Sequence, residues 1–135
     1  MIQDTVGKPT ILVVDDDIDV LMLLKTKLKT EGFDVRISPN GENILDIITQ
    51  NRPILILLDI HMDGVDGGTI CHLLKFNEST GKIPVIMFSA NDDIKSITTQ
   101  CGADGYISKP FDLKTMKESF ERILGPEYMQ SKCRA

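Results

Sequence analysis

Long apolar runs are missing from this sequence, and their absence excludes several classes of protein. A membrane-spanning helix needs roughly 20 consecutive apolar residues, and no run approaches that length. Residues 1–9 also lack the charged and apolar regions of a secretory signal. We therefore expect a cytoplasmic protein that does not associate with membranes.

Cysteine and positive charge are also scarce. The three cysteines, Cys71, Cys101 and Cys133, lie far apart and lack the spacing of metal ligands, so we expect reduced thiols rather than disulfides. Lysine and arginine number 15 against 20 aspartates and glutamates, which gives a formal net charge of −5. That balance argues against a general surface for binding nucleic acid.

The chain does contain enough apolar sequence for one folded domain: 41% of its 135 residues are hydrophobic. Strong apolar runs end at Val14, Leu58 and Phe88, weaker ones occupy residues 33–37 and 104–107, and helical patterns separate them. Such alternation predicts right-handed crossovers and a parallel sheet covered on both faces. With the strongest strands central, we predict an α/β, flavodoxin-like (βα)5 doubly wound fold of strand order 2-1-3-4-5.

Polar side chains follow the strands of this predicted sheet. Asp15 and Asp16 follow the first strand, Asp59 the third, Ser89 the fourth and Lys109 the fifth. The carboxyl ends of parallel strands share one edge, and carboxylates grouped there repel one another unless a cation joins them. Mg²⁺ prefers such oxygen ligands. A lysine and a hydroxyl beside it suit a transferring phosphoryl group, with a carboxylate as nucleophile.

Each of these residues also has a simpler interpretation. Asp17 is expected to be a helix N-cap, and Asp15 and Asp16 in isolation could be solvated capping residues. Lys109 alone would usually be a surface lysine, and Ser89 alone a turn residue. Their shared position at the strand ends favours the joint site over these separate roles.

The order and spacing of five short segments resemble those of a receiver domain of the bacterial two-component response regulators, which is a CheY-like domain. The segments are Ile11-Leu12-Val13-Val14-Asp15-Asp16, Leu57-Leu58-Asp59 with Gly64 to Gly67, Ser89-Ala90, Gly102-Ala103-Asp104-Gly105-Tyr106 and Lys109-Pro110-Phe111. The resemblance implies a receiver domain over residues 10–124, an N-terminal arm at residues 1–9 and a C-terminal tail at residues 125–135.

The resemblance implies a phosphorylation site at Asp59. A sensor histidine kinase or a phosphotransfer protein would supply the phosphoryl group to Asp59. Small phosphodonors would also phosphorylate it, but slowly. Asp16, Asp59 and the backbone carbonyl of His61 would bind Mg²⁺, or Mn²⁺ in its place, directly. Asp15 would act mainly through metal-bound water, and Lys109 would pair with the phosphate.

The resemblance also implies how phosphorylation is read. Ser89 would bond a phosphoryl oxygen, Tyr106 would swing between exposed and buried positions, and the bond from Lys109 to Pro110 would be cis. The readout face would be the fourth helix, fifth strand and fifth helix. The implied role is signalling rather than catalysis, with self-phosphorylation and autodephosphorylation as the only reactions. An effector of unknown identity and a phosphorylation-dependent homodimer are implied, without direct contact to nucleic acid.

Other functions remain open at this point. An aspartate-nucleophile phosphatase of the haloacid dehalogenase type would use Asp15, since Asp15-Asp16-Asp17 contains the Asp-x-Asp of those enzymes. No second acidic pair or cap domain supports it, and the two functions differ in the phosphorylated residue, Asp15 or Asp59. A flavin or nucleotide carrier is disfavoured by the acidic first loop, and an unphosphorylated pseudo-receiver by the complete site. The chain is either a stand-alone receiver or a piece of a longer regulator or hybrid kinase.

Overall fold

The computed structural model describes residues 8–62, 64–90 and 92–125. Its centre is a five-stranded parallel sheet of order β2-β1-β3-β4-β5, which confirms the predicted fold. The strands are β1 (Thr10–Val14), β2 (Asp34–Ser38), β3 (Leu55–Asp59), β4 (Val85–Ser89) and β5 (Gly105–Ser108). The helices are α1 (Ile18–Thr30), α2 (Ile44–Asn51), α3 (Gly67–Phe76), α4 (Ile94–Cys101) and α5 (Leu113–Leu124). A short antiparallel ribbon pairs His61–Met62 with Val65–Asp66.

The core has two layers, one on each face of the sheet. Alternate residues of a strand point to opposite faces, so Leu57 packs with α1 and α5, whereas Leu58 packs with α2, α3 and α4. All residues of β3 and β4 are buried, which explains their unbroken apolar sequences. Burial on both faces of the sheet holds the two central strands in place, and these strands end at Asp59 and Ser89.

Asp17, Asp66 and Asp112 each precede an apolar helical pattern in the sequence, which predicts a helix N-cap at each, and the structure confirms all three. The carboxylate of Asp17 accepts hydrogen bonds from two backbone N–H groups of the first turn of α1. Asp66 caps α3 in the same way, and Asp112 caps α5. Acceptors at these positions satisfy backbone donors that a helix leaves unpaired at its start.

Two helices begin later than the sequence predicts. The turn residues Ser38-Pro39-Asn40-Gly41 predict a helix start, but α2 begins at Ile44 after Asn43, which has a φ of 59°. The Ser38 hydroxyl accepts from the Gly41 N–H, and the Asn40 carboxamide accepts from the Glu42 N–H. These local bonds compete with helix formation.

The start of α4 also differs from the prediction. The polar residues that precede its apolar pattern predict Asn91 or Asp92 as the N-cap, and the observed N-cap is Asp93. Asn91 lies outside the described residues.

The two termini lie mostly outside the described residues as well, so the domain limits at residues 10 and 124 stay predictions. Within the part of the chain that the structure describes, no helix has the length and apolarity needed to cross a membrane.

Candidate functional site

Three aspartates meet at the carboxyl edge of the sheet, as predicted. One carboxylate oxygen from each of Asp15, Asp16 and Asp59 lies within 4.8 Å of the other two. Asp15 and Asp59 are buried, whereas Asp16 is exposed. Ser89 and Lys109 line the same cleft, which has a volume of about 430 Å³. The parallel register brings together residues that are up to 94 positions apart in sequence.

Lys109 supplies the positive charge of this cleft. Its Nζ donates a hydrogen bond to Asp15 Oδ2 at 2.7 Å and lies 3.7 Å from Asp59 Oδ1. The Lys109 backbone N–H donates to the Ser89 carbonyl at 2.9 Å, and the peptide bond to Pro110 is cis, as the resemblance implied. The lysine therefore contacts two carboxylates on neighbouring strands.

Asp15 is held by its own strand pairing and by the following turn. Its backbone N–H donates to the Ser38 carbonyl at the end of β2. Its Oδ1 accepts from the backbone N–H of Asp17 at 2.9 Å. With Oδ2 bonded to Lys109, both carboxylate oxygens have partners, so the side chain has a defined orientation in the cleft.

The surroundings of Asp59 oppose its ionisation. The pKa of Asp59 is raised from 3.8 to about 6: burial is the largest cause and the Asp15 and Asp16 charges add to it, while Lys109 and a hydrogen bond from the His61 backbone lower the pKa. A buried, partly compensated carboxylate beside two others fits a hard divalent cation. The three aspartates therefore form a group that could hold a metal ion such as Mg²⁺.

The predicted switch residues lie at different depths. Ser89 is buried at the end of β4, inside the cleft. Tyr106, on β5, is 39% exposed. This corresponds to the exposed one of the two positions, exposed and buried, that the resemblance implies. The His61 side chain is exposed, and its backbone hydrogen-bonds Asp59. The roles of these residues in switching and metal binding stay predictions.

Two contacts in the site were missed by sequence reasoning. Lys109 Nζ lies 4.8 Å from the centroid of the Phe88 ring, a cation–π contact. Gly67 packs so closely on β3 that an added Cβ would lie 1.9 Å from the Asp59 carbonyl oxygen. In the sequence Phe88 is simply one more apolar strand residue, and Gly67 one of several loop glycines, so neither carried a distinguishing signal.

Comparison with known proteins decides the family. The family model of the response regulator receiver domain matches residues 11–121 of the sequence. The chain belongs to this family. Its function is therefore that of a receiver in two-component signalling, and neither the family nor the fold favours the phosphatase alternative.

Individual relatives agree with this assignment. The chain is 38% identical to the DNA-binding dual master transcriptional regulator RpaA of Synechocystis over 120 residues, which cover 86% of this chain and 49% of RpaA. It is also 38% identical to the heme response regulator HssR of Staphylococcus aureus over 107 residues, or 78% of this chain and 46% of HssR. The receiver thus spans about half the length of these relatives.

A solved structure extends the match to three dimensions. A Chloroflexus aurantiacus protein described as a response regulator superposes with a TM-score of 0.80 at 32% identity. The match covers 87% of this chain and 98% of that one. The two chains therefore share their fold over nearly the whole length of the Chloroflexus protein.

Proposed function

We propose that Asp59 accepts a phosphoryl group from a partner's phosphohistidine and thereby switches the receiver between two signalling states. One observation carries the assignment to this residue. Asp59 ends a fully buried central strand, within 4.8 Å of the carboxylate oxygens of Asp15 and Asp16 and 3.7 Å from the Lys109 ammonium. The carboxyl edge of the parallel sheet brings these side chains together although they are far apart in sequence.

The chain's own residues have separate tasks in the transfer. An Asp59 carboxylate oxygen attacks the phosphorus atom, the bond from phosphorus to the donor nitrogen breaks, and an acyl phosphate forms. The Lys109 ammonium offsets the negative charge on the phosphoryl oxygens. The Ser89 hydroxyl donates a hydrogen bond to one of them.

A divalent cation fits the same site. Asp16, Asp59 and the backbone carbonyl of His61 would hold Mg²⁺, or Mn²⁺, directly, and Asp15 would bind through water. When bound, the ion supplies positive charge for the phosphoryl oxygens. The exposed position of Asp16 beside the buried Asp15 and Asp59 leaves one side of the group open to solvent, which suits an ion that keeps several waters.

Phosphorylation would change the surface formed by α4, β5 and α5, which a partner would then recognise. Phosphorylation adds charge at Asp59 and draws Ser89 and Lys109 toward it, and Tyr106 would then move inward beside α4. The Ser89 carbonyl accepts from the Lys109 N–H, so β4 and the loop after β5 are joined at this point. The partners would be a cytoplasmic sensor kinase or phosphotransfer protein and a separate effector, with homodimerisation as one outcome of activation.

Phosphorylation with small donors tests the proposal. The chain is incubated with acetyl phosphate or phosphoramidate and Mg²⁺, and the phosphorylated fraction is measured by intact mass. We expect Asp59→Asn to abolish labelling without changing the far-ultraviolet circular dichroism. Asp46→Asn, an exposed carboxylate on α2, is the matched control and should label like the wild type. Labelling of the Asp59 variant at the wild-type level would refute the proposal.

A further inference from the structure

The Lys109 ammonium lies against an aromatic ring as well as two carboxylates. Its Nζ is 4.8 Å from the centroid of Phe88, which is fully buried on β4 immediately before Ser89. Phe111, two residues after Lys109, packs against the same ring with centroids 5.1 Å apart and an interplanar angle of 63°. The ring therefore has a fixed neighbour on one side and the lysine on another.

An aromatic ring attracts a cation through the negative potential over its face. The attraction is larger where water is excluded, and the Lys109 side chain is only 21% exposed. A lysine side chain has many rotamers, so each contact that favours one of them raises the fraction of time the ammonium spends there. The Phe88 face and the carboxylates of Asp15 and Asp59 favour the same position.

We propose that Phe88 is a positioning residue for phosphoryl transfer: its ring holds the Lys109 ammonium beside Asp59. This inference rests on the proposed phosphorylation of Asp59. Burial on a central strand requires only an apolar side chain at position 88, and leucine would meet that requirement. The aromatic ring adds an interaction with the cation that leucine cannot make.

Nuclear magnetic resonance of the metal-free protein tests the contact without any phosphorylation. We expect the Lys109 ε-methylene protons to be shifted upfield by the ring current of Phe88 and to return to ordinary lysine values in Phe88→Leu. Phe120→Leu is the control, because Phe120 is equally buried in the same core layer and pairs with Phe33. An unshifted Lys109 resonance in the wild type would overturn the inference.

Fluorinated phenylalanines test the functional effect. Replacing Phe88 with mono-, di- and trifluorophenylalanine weakens the negative potential of the ring stepwise while nearly preserving its shape. We expect the rate of Asp59 phosphorylation by phosphoramidate to fall along the series, by about threefold to tenfold at its end. The same series at Phe120 should leave the rate unchanged.

The outcomes separate this inference from the proposed function. Normal wild-type labelling at Asp59 with an unchanged or faster rate across the Phe88 series would overturn the role of Phe88 alone. Equal decreases in the Phe88 and Phe120 series would also overturn it, since they would indicate a general packing effect. A wild-type protein that takes no label at Asp59 would overturn the proposed function and this inference together.

Discussion

At the scale of single residues, the charge on Asp59 opposes folding in the absence of a metal ion. Its pKa is raised from 3.8 to about 6, first by burial and then by the Asp15 charge. The folded protein therefore binds this proton more tightly than the unfolded chain does. The contribution of Asp59 to stability is most favourable below about pH 4 and is lost as the pH rises through about 6.

Asp59→Asn should consequently stabilise the metal-free protein at neutral pH. Removing this charge is expected to raise the free energy of unfolding at pH 7 by on the order of 2 kcal/mol, and the gain should largely disappear near pH 4. Urea unfolding of the wild type and the variant at both pH values, with a chelator present, measures the difference. A gain that is the same at both pH values would contradict the assigned cause.

The residue types of the site, but only some of their contacts, could be predicted from the sequence. Asp15, Asp16, Asp59, Ser89 and Lys109 each follow a strand, so the fold alone brings them to one edge. Lys109 hydrogen-bonds Asp15 at 2.7 Å, whereas its ion pair with Asp59 is longer, at 3.7 Å. This difference depends on how the loop after β5 approaches the cleft. Neither the periodicity nor the composition of the sequence predicts the path of that loop.

At the scale of secondary structure elements, the start of α3 is packed against the end of β3. The Gly67 N–H donates to the Ile60 carbonyl at 2.7 Å, and an added Cβ would lie 1.9 Å from the Asp59 carbonyl oxygen. Since that neighbour is backbone, it cannot rotate away as a side chain could. The close approach joins the helix to the strand that carries the proposed phosphoacceptor.

Gly67→Ala should therefore displace Asp59 and destabilise the protein. We expect a loss of about 2 kcal/mol or more in the free energy of unfolding, together with weaker Mg²⁺ binding measured by titration calorimetry. Gly68→Ala is the matched control one residue later, because its Cβ would meet its nearest neighbours at 3.2 Å. If the two variants were equally stable and bound Mg²⁺ equally well, the close approach would have no energetic consequence.

The elements themselves were largely predictable, and the exceptions have local causes. The apolar runs of β1, β3 and β4 and the capping aspartates of α1, α3 and α5 are explicit in the sequence. The late start of α2 is not, because the hydrogen bonds of the Ser38–Asn40 turn replace the expected helical turn. The choice between local side-chain bonds and a helix is decided by small energies.

At the scale of the whole molecule, α4 and β5 are the elements that lie next to the strand ending at Ser89. β5 is an edge strand that pairs with β4, and α4 packs against both strands. α4 has eight residues and buries only Ile94, Thr98 and Cys101. Elements with few buried contacts open and move more readily than the core, so a response that starts at Ser89 should appear in α4 and β5 rather than evenly through the sheet.

Hydrogen exchange should show this asymmetry. On phosphorylation in Mg²⁺ we expect the exchange rates of backbone amides in α4 and β5 to change, with the amides of β1 and β3 largely unaffected beyond the site itself. The comparison uses the wild type with and without phosphoramidate, and Asp59→Asn under the same conditions as the control. Equal changes throughout the sheet, or changes that persist in the Asp59 variant, would contradict a switch face built on α4, β5 and α5.

The most direct test of the account is to locate the phosphorylated residue. After labelling with phosphoramidate in Mg²⁺, borohydride reduction converts an aspartyl phosphate to homoserine, which peptide mass spectrometry locates. Trypsin cleavage after Lys25 and Arg36 places Asp15 and Asp59 in different peptides. The account predicts homoserine at position 59 and none at position 15. Homoserine at position 15 would contradict it and would favour a phosphatase that uses Asp15 as its nucleophile.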